Sequence, residues 1–292
     1  MPVERIIDES SAVSSKHLAA EEILRAAGFY WRERGWVKVL VCRDLEDEGF
    51  ANGFSTRVGG VSPFPENSLN LAGFKDDTAE NIAENRRRFL AAFDGDFMLA
   101  LALQVHGDTI LKVDSIDEAV DSDTEADAVM SGSAGVLAGV KTADCVPVLI
   151  GDPKTRAFAA VHAGWRGTVQ SIVAKAIQAL GQTYGSDPQD LMAAIGPAAS
   201  CKMYEIGQDV IDEFASNFEG SEKYFTPTSD GHALVDLHAA NRDQLTATGL
   251  RPDRIFIAPF CTMERSDFFF SYRREKQDFG RTGRLLSVIG RT

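Results

Sequence analysis

What most constrains the fold of this chain is a series of short apolar runs in its centre, at 97–105, 110–113, 136–140, 146–150 and 158–161. Each has strand length and is bounded within a few residues by Gly, Asp or Pro, which punctuate strands rather than continue them. Helical patterns alternate with them. Over 168–180, Ile172, Ala176 and Leu180 recur at i, i+4 and i+8 with Val173 and Ile177 beside them, the stripe of a helix packed on a core. Helices are also expected at 78–93, 208–218 and 236–248, and strands at 53–57, 191–195, 255–258 and 285–289. No Ser/Gly-rich linker or composition break interrupts the alternation, which predicts one continuous α/β domain.

The first fifty residues read differently, as a helix over 18–27 and a strand over 36–41, and suggest no chemistry; we treat 1–50 as an N-terminal extension and 51–292 as the catalytic domain. Gly53-Phe54-Ser55-Thr56-Arg57 runs into Gly59-Gly60, a turn that glycine enters without strain. A loop with Pro63, Pro65 and Asn67 follows. Near the C-terminus, Phe268-Phe269-Phe270 reads as a buried strand.

Composition narrows the partners. Of 292 residues, 44% are hydrophobic and 25% charged, a balance that folds without help. Asp and Glu number 43 against 30 Lys and Arg, a net charge of −13, and that field repels nucleic acid and anionic membrane surfaces while leaving room for a local arginine cluster. Cys42, Cys145, Cys201 and Cys261 form no close pair, which argues against a disulfide framework or zinc ribbon and for a reducing compartment. Residues 1–15 carry Glu4, Asp8 and Glu9 without the apolar stretch of a secretory signal. No segment approaches the ~18 apolar residues of a membrane span. A cytoplasmic protein is expected.

Reactive residues gather at the ends of the apolar runs, where loops carry chemistry. Gln104-Val105-His106-Gly107-Asp108 ends one run. Lys141-Thr142-Ala143-Asp144-Cys145-Val146-Pro147 places an acid and a thiol between two others, and His162-Ala163-Gly164-Trp165-Arg166-Gly167-Thr168 joins a strand to the next helix. Each has a bland reading: a hydrogen-bonded histidine, a buried thiol as filler, a tight turn over Trp165. The intervals between His106, Cys145 and His162 bear no relation to the i, i+4 spacing of a helical metal motif. If the three converge, two imidazoles and a thiolate suit zinc with a fourth position open, the arrangement of a catalytic site. Without metal, Cys145 and His162 would serve as nucleophile and base, oriented by Asp144. Arg57, beside its two glycines, and Ser271-Tyr272-Arg273-Arg274 with Arg281-Thr282-Gly283-Arg284 offer guanidinium forks for an oxyanion. Arg274 and Lys276 read better as solvated.

Taken together these motifs resemble the YfiH-like family, described both as laccase-domain or multicopper polyphenol oxidoreductases and as purine nucleoside phosphorylases. The resemblance spans about 53–284 and adds Ser68-Leu69-Asn70-Leu71, Asn85-Arg86, Ile195-Gly196-Pro197, Tyr204-Glu205-Ile206-Gly207 and Phe270-Ser271-Tyr272-Arg273. It implies a single-domain layered α/β sandwich of mixed sheets with flanking helices, of the cysteine-hydrolase-like kind. It also implies zinc on His106, Cys145 and His162, with adventitious copper as a substitute. The implied activity is phosphorolysis of adenosine and inosine to base and ribose 1-phosphate, with adenosine deamination and methylthioadenosine phosphorolysis in the same pocket. Arg57, Asn70, Asp144, Arg273, Arg281 and Arg284 are candidates for substrate or phosphate contacts.

Three other readings compete. Five histidines, among them His17, His232 and His238, are too few for a multicopper oxidase, which needs further copper sites beside a His/His/Cys centre. A peptidoglycan-precursor editing hydrolase, removing a misincorporated L-serine from a UDP-linked muramyl conjugate, needs the same nucleophile and anion pocket. A binding module with a closed structural zinc would require Cys201 or Cys261 to fold in as fourth ligand.

Overall fold

Val37, Val39 and Val41 point to one side of their strand and Leu40 and Cys42 to the other, yet all five are buried, so this strand has a core on each face. The same holds for Val146, Val148 and Ile150 against Leu149. Strands apolar on both faces must lie inside a layered molecule. The computed structural model, which describes residues 21–72 and 77–292, shows those layers.

The first half of the chain runs β1 (Phe29–Arg34), β2 (Val37–Cys42), α1 (Arg43–Asp47), β3 (Ala51–Ser55), β4 (Val58–Pro63), β5 (Glu66–Ser68), α2 (Ala79–Leu90), β6 (Met98–Leu103), β7 (Ile110–Lys112), β8 (Asp121–Glu125), β9 (Ala128–Ser131) and β10 (Val136–Thr142). Then come β11 (Val146–Gly151), β12 (Phe158–Ala163), α3 (Trp165–Val169), α4 (Ile172–Tyr184), β13 (Met192–Ile195), β14 (Glu205–Gly207) and α5 (Gln208–Asn217). The chain ends with β15 (Phe225–Ser229), β16 (His232–Val235), α6 (Leu237–Ala247), β17 (Ile255–Ile257), α7 (Tyr272–Phe279) and β18 (Leu285–Gly290). A seven-stranded sheet has the order β1-β2-β3-β18-β10-β6-β8 and a six-stranded sheet β17-β13-β11-β12-β9-β7; β14-β16-β15 and β4-β5 form two small sheets. Both large sheets are mixed: β10 pairs parallel to β6 but antiparallel to β18, and β13 parallel to β17 but antiparallel to β11.

Phe54, Ala138, Val140 and Ile289 of the seven-stranded sheet pack against Leu149, Phe158, Ala160 and Ala194 of the other. The outer face of the six-stranded sheet carries Ile172, Val173, Ala176, Ile177 and Leu180 of α4, with Phe214 of α5 and Leu237 and Leu245 of α6. The outer face of the seven-stranded sheet meets Phe89 of α2, along with Leu69, Leu71 and Phe93. The architecture is therefore helix, sheet, sheet, helix: a layered α/β sandwich. Among the described residues, no helix is long and apolar enough to cross a membrane.

Several expectations need adjusting. The helix expected over 168–180 is two helices, α3 and α4, divided at Ser171, whose φ is +60°. Gln244 donates to the Thr168 carbonyl (2.7 Å), and Ser171 N closes on that same carbonyl, so the first helix ends in a tightened turn. Phe268-Phe269-Phe270 is the end of a turn followed by loop rather than a strand, because Phe268 N and Phe269 N both bond back to the Arg265 carbonyl; Phe269 and Phe270 are buried all the same. Residues 21–26 are helical, while His17, residues 18–20 of the expected helix and the stretch read for a secretory signal lie outside the described residues. Strands β1 and β2, from the first fifty residues, are the edge of the seven-stranded sheet.

Candidate metal centre

Strand register brings Cys145 to His162. Strands β11 and β12 pair antiparallel, with Pro147 opposite His162 and Val146 opposite Ala163, so Cys145 stands just past the last pair, beside Gly164. Asp144, which holds Cys145 out of the preceding strand, has a φ of +84°, a conformation rare for a residue with a Cβ. Its carboxylate holds that turn in place by accepting hydrogen bonds from Thr262 Oγ1 (2.7 Å), Ser271 Oγ (3.0 Å) and Arg273 N (2.7 Å).

His106 arrives from the end of β6. Gln104, two residues earlier, brackets Lys141 of β10, donating to its carbonyl and accepting from its N–H, both at 2.7 Å. His106 itself has a φ of +61°. The loop is gripped by Asp127, fully buried at the start of β9, whose carboxylate accepts from the N–H groups of Val105 (3.2 Å), His106 (3.0 Å) and Gly107 (2.7 Å). The same carboxylate meets His162 Nδ1 at 2.7 Å.

The outcome is one cluster: the ligand atoms of His106, Cys145 and His162 lie within 4.8 Å of one another, and the two imidazoles meet edge to face with centroids 4.9 Å apart. His162 is buried, Cys145 half-buried and His106 exposed, so the cluster opens outward at His106. Burial alone would raise the Cys145 thiol, but the His162 and His106 imidazoles beside it outweigh that and bring it down to about 6. Burial would likewise lower His162, yet the facing thiolate and the Asp127 carboxylate lift it to about 9. Both shifts describe a thiolate facing an imidazolium, a site that attracts a cation able to take the proton's place.

The donor set fits a borderline-soft metal ion with one position left open. Two nitrogens and one sulfur converge, and among the described residues no further His, Cys or carboxylate joins them. Cys261 Sγ accepts from Ser200 N instead, and the thiol of exposed Cys201 is pushed up by burial and by Asp236. His238 Nε2 pairs with the Gly196 carbonyl and His232 Nδ1 with that of Asp230. Asp144 does not touch His162; the carboxylate that orients this imidazole is Asp127.

A cleft of about 790 Å³ opens over the cluster. Of the arginines singled out in the sequence, Arg273 and Arg284 line it, as does Asp144. Arg166 lines it too. Each of the three guanidiniums lies over a ring of the same cleft: Arg166 over Trp165 (4.1 Å), Arg273 over Tyr204 (5.0 Å) and Arg284 over Tyr272 (5.6 Å). Arg57, Asn70 and Arg281 are elsewhere. Arg57 is ion-paired with buried Glu275 (2.8 Å) and lines a separate cleft of about 890 Å³ that holds none of the three metal donors. Asn70 Oδ1 accepts from Ala72 N and Arg284 N, and Arg281 packs over Phe64 in a third cavity of about 560 Å³. The acidic residues Asp121 and Asp123 of β8 and Lys141 also line the main cleft.

Over most of its length the chain is similar to known proteins. The family described as multi-copper polyphenol oxidoreductase laccase matches residues 51–292. Purine nucleoside phosphorylase YfiH of Escherichia coli is 33% identical over 252 residues, covering 86% of this chain and 98% of that one. The purine nucleoside phosphorylase of Deinococcus radiodurans is 36% identical over 239 residues, covering 81% and 87%. Among solved structures, Bacillus licheniformis YfiH superposes with a TM-score of 0.82 at 29% identity, covering 90% of this chain and 99% of that one. YlmD of Geobacillus stearothermophilus gives 0.81 at 32%, covering 90% and 98%. With its fold and nearly the whole length of these relatives in common, the chain belongs to the YfiH-like family of laccase-domain proteins.

Proposed function

We propose that the protein is a zinc-dependent purine nucleoside phosphorylase acting on adenosine and inosine, with adenosine deamination and methylthioadenosine phosphorolysis as further reactions of the same cleft. The observation that carries this reading is the meeting of His106, Cys145 and His162 with three guanidiniums that have no carboxylate partner among the described residues, in a chain whose relatives are named purine nucleoside phosphorylases. In phosphorolysis a phosphate oxygen bonds to the ribose C1′, and the glycosidic bond breaks with its electron pair leaving on the base, which takes up a proton. Holding the oxyanion in line with C1′ supplies most of what that reaction needs.

Arg166, Arg273 and Arg284 hold the phosphate, each stiffened by the ring beneath it. Asp121 and Asp123 accept hydrogen bonds from ribose hydroxyls. Asp144 and Asn70 contribute at one remove, through the backbones of Arg273 and Arg284. Zinc held by His106, Cys145 and His162 would supply Lewis acidity toward a substrate oxygen, and copper is the substitute ion. All four cysteines are free, in keeping with a cytoplasmic enzyme. Residues 51–292 form the catalytic unit.

The deciding experiment adds adenosine to freshly purified, metal-analysed protein with and without phosphate. About one zinc per chain and adenine release that requires phosphate are expected. Adenine release that continues without phosphate would replace phosphorolysis with hydrolysis, and no turnover of any nucleoside would overturn the reading in favour of a cell-wall precursor hydrolase.

A further inference from the structure

We infer that Asp127 is the positioning residue of the metal centre, fixing the imidazole of His162 and the backbone of His106 with one carboxylate. The inference rests on the metal reading of the cluster and is independent of the substrate.

Each oxygen of Asp127 is used twice. Oδ1 accepts from His106 N (3.0 Å) and meets His162 Nδ1 (2.7 Å), while Oδ2 accepts from Val105 N (3.2 Å) and Gly107 N (2.7 Å). An ionised carboxylate has about four acceptor sites and no proton to give, so all four are filled and His162 Nδ1 must be the donor. Nδ1–H leaves Nε2 of a neutral His162 bare, and Nε2 is then the ring nitrogen free to bind a cation beside Cys145.

The other half of the grip acts on His106. The successive N–H groups of Val105, His106 and Gly107 form a concave cradle for an anion, and the anion they hold is Asp127. A histidine at positive φ is strained, and these three hydrogen bonds offset that strain. Asp127 also donates its own N–H to the Thr109 carbonyl and accepts from His162 N with its carbonyl (2.7 Å). It is therefore tied to the His106 loop on one side and to β12 on the other. Two of the three metal donors take their place from this one side chain.

Asp127→Asn is the discriminating variant because an amide cannot repeat the pattern in either orientation. With its oxygen toward His162, its NH₂ opposes the N–H groups of Val105 and Gly107. Flipped, it donates to Nδ1 and drives the His162 proton onto Nε2. We expect metal affinity, measured by competition with a chelator of known affinity, to fall about 10- to 100-fold. The rise in melting temperature on adding metal should shrink, and activity should return at saturating metal. A merely structural residue would lower the melting temperature of the metal-free protein and leave metal affinity alone. Metal affinity within about twofold of the parent would overturn the inference.

A variant that fails to fold leaves the question to ¹⁵N NMR of the unmodified, metal-loaded protein, where His162 should carry its proton on Nδ1; a proton on Nε2 overturns the inference. If the parent protein binds no metal, the metal reading of the cluster fails on its own, and the same measurement at alkaline pH, where the metal-free imidazole is neutral, still decides whether Asp127 keeps the proton on Nδ1.

Discussion

Replacing Gly164 by Ala should damage the metal centre while leaving the fold intact. Gly164 has φ −65° and ψ 172°, an extended conformation open to any residue, so the backbone has no need of glycine there. Space is the constraint. A Cβ on Gly164 would lie 3.1 Å from Cys145 Sγ, 3.3 Å from His106 Cδ2 and 3.8 Å from His162 Cε1. Ordinary contacts lie at about 3.5–4.0 Å, so the sulfur must retreat by roughly half an ångström. Metal–ligand distances tolerate only about 0.2 Å. The overpacking should cost ~1–3 kcal/mol of stability, a drop in melting temperature that leaves a folded protein. The displaced thiolate should weaken metal binding at least ~10-fold, and kcat/KM at limiting metal should fall with it. Circular dichroism melts and chelator competition on the same preparation separate the two effects. If Gly164→Ala keeps the parent's metal affinity, the cluster is not a metal centre of this geometry.

The arginines divide by the same logic. Arg166→Ala and Arg273→Ala each remove a charged hydrogen-bonding group worth ~1.5–3 kcal/mol, so the KM for phosphate should rise about 10- to 100-fold with the nucleoside KM nearly unchanged; equal effects on both would show that these residues do not hold phosphate. Arg57→Ala leaves the side chain of Glu275, only 6% exposed, without its partner, and stability should fall by ~3–5 kcal/mol in thermal or denaturant melts. A phosphate KM raised by Arg57→Lys in folded protein would instead return Arg57 to the substrate. In metal-free protein the lowered Cys145 pKa means the thiolate is already present above about pH 6, so alkylation should reach half its plateau rate near there. Cys201, whose thiol is pushed up by burial and by Asp236, should go on gaining rate to higher pH. A Cys145 midpoint at the ordinary thiol value near ~8.5 would refute the thiolate–imidazolium description.

The parts of the fold legible in the sequence are those whose strands are buried on both faces. Runs 136–140, 146–150 and 158–161 became β10, β11 and β12 because each lies between a sheet-to-sheet core and a second apolar layer. Strand β8, Asp121–Glu125, carried no such signal: it is an exposed, acidic strand that among the described residues pairs with β6 alone. Helix α7 is equally polar, burying only Glu275, so no apolar stripe announced it. Nor does any local pattern say that β18, the last strand, inserts between β3 and β10, since that order is a property of pairing across the whole chain.

The site obeys a similar division. His106, Cys145 and His162 were visible singly, as reactive residues at the ends of apolar strands, but their intervals say nothing about convergence because register brings them together. Cys145 reaches His162 through an antiparallel pairing fixed by apolar side chains far from the chemistry. His106 is brought in by Asp127, an acid between Ala126 and Ala128 at the head of the apolar strand Ala128–Ser131, and that break in pattern is the signal that would have exposed it. A charge is not placed in such a setting unless its partners fill every acceptor site, and here those partners are two of the candidate metal donors and the loop of one of them. Arginines offer no comparable clue. Arg57 beside two glycines and Arg284 beside one look alike in sequence; only packing reveals that the first neutralises a buried glutamate while the second faces the cleft over Tyr272. Candidate anion-binding arginines in such a chain are therefore found by asking which of them have no carboxylate partner among the described residues, a question answered in three dimensions.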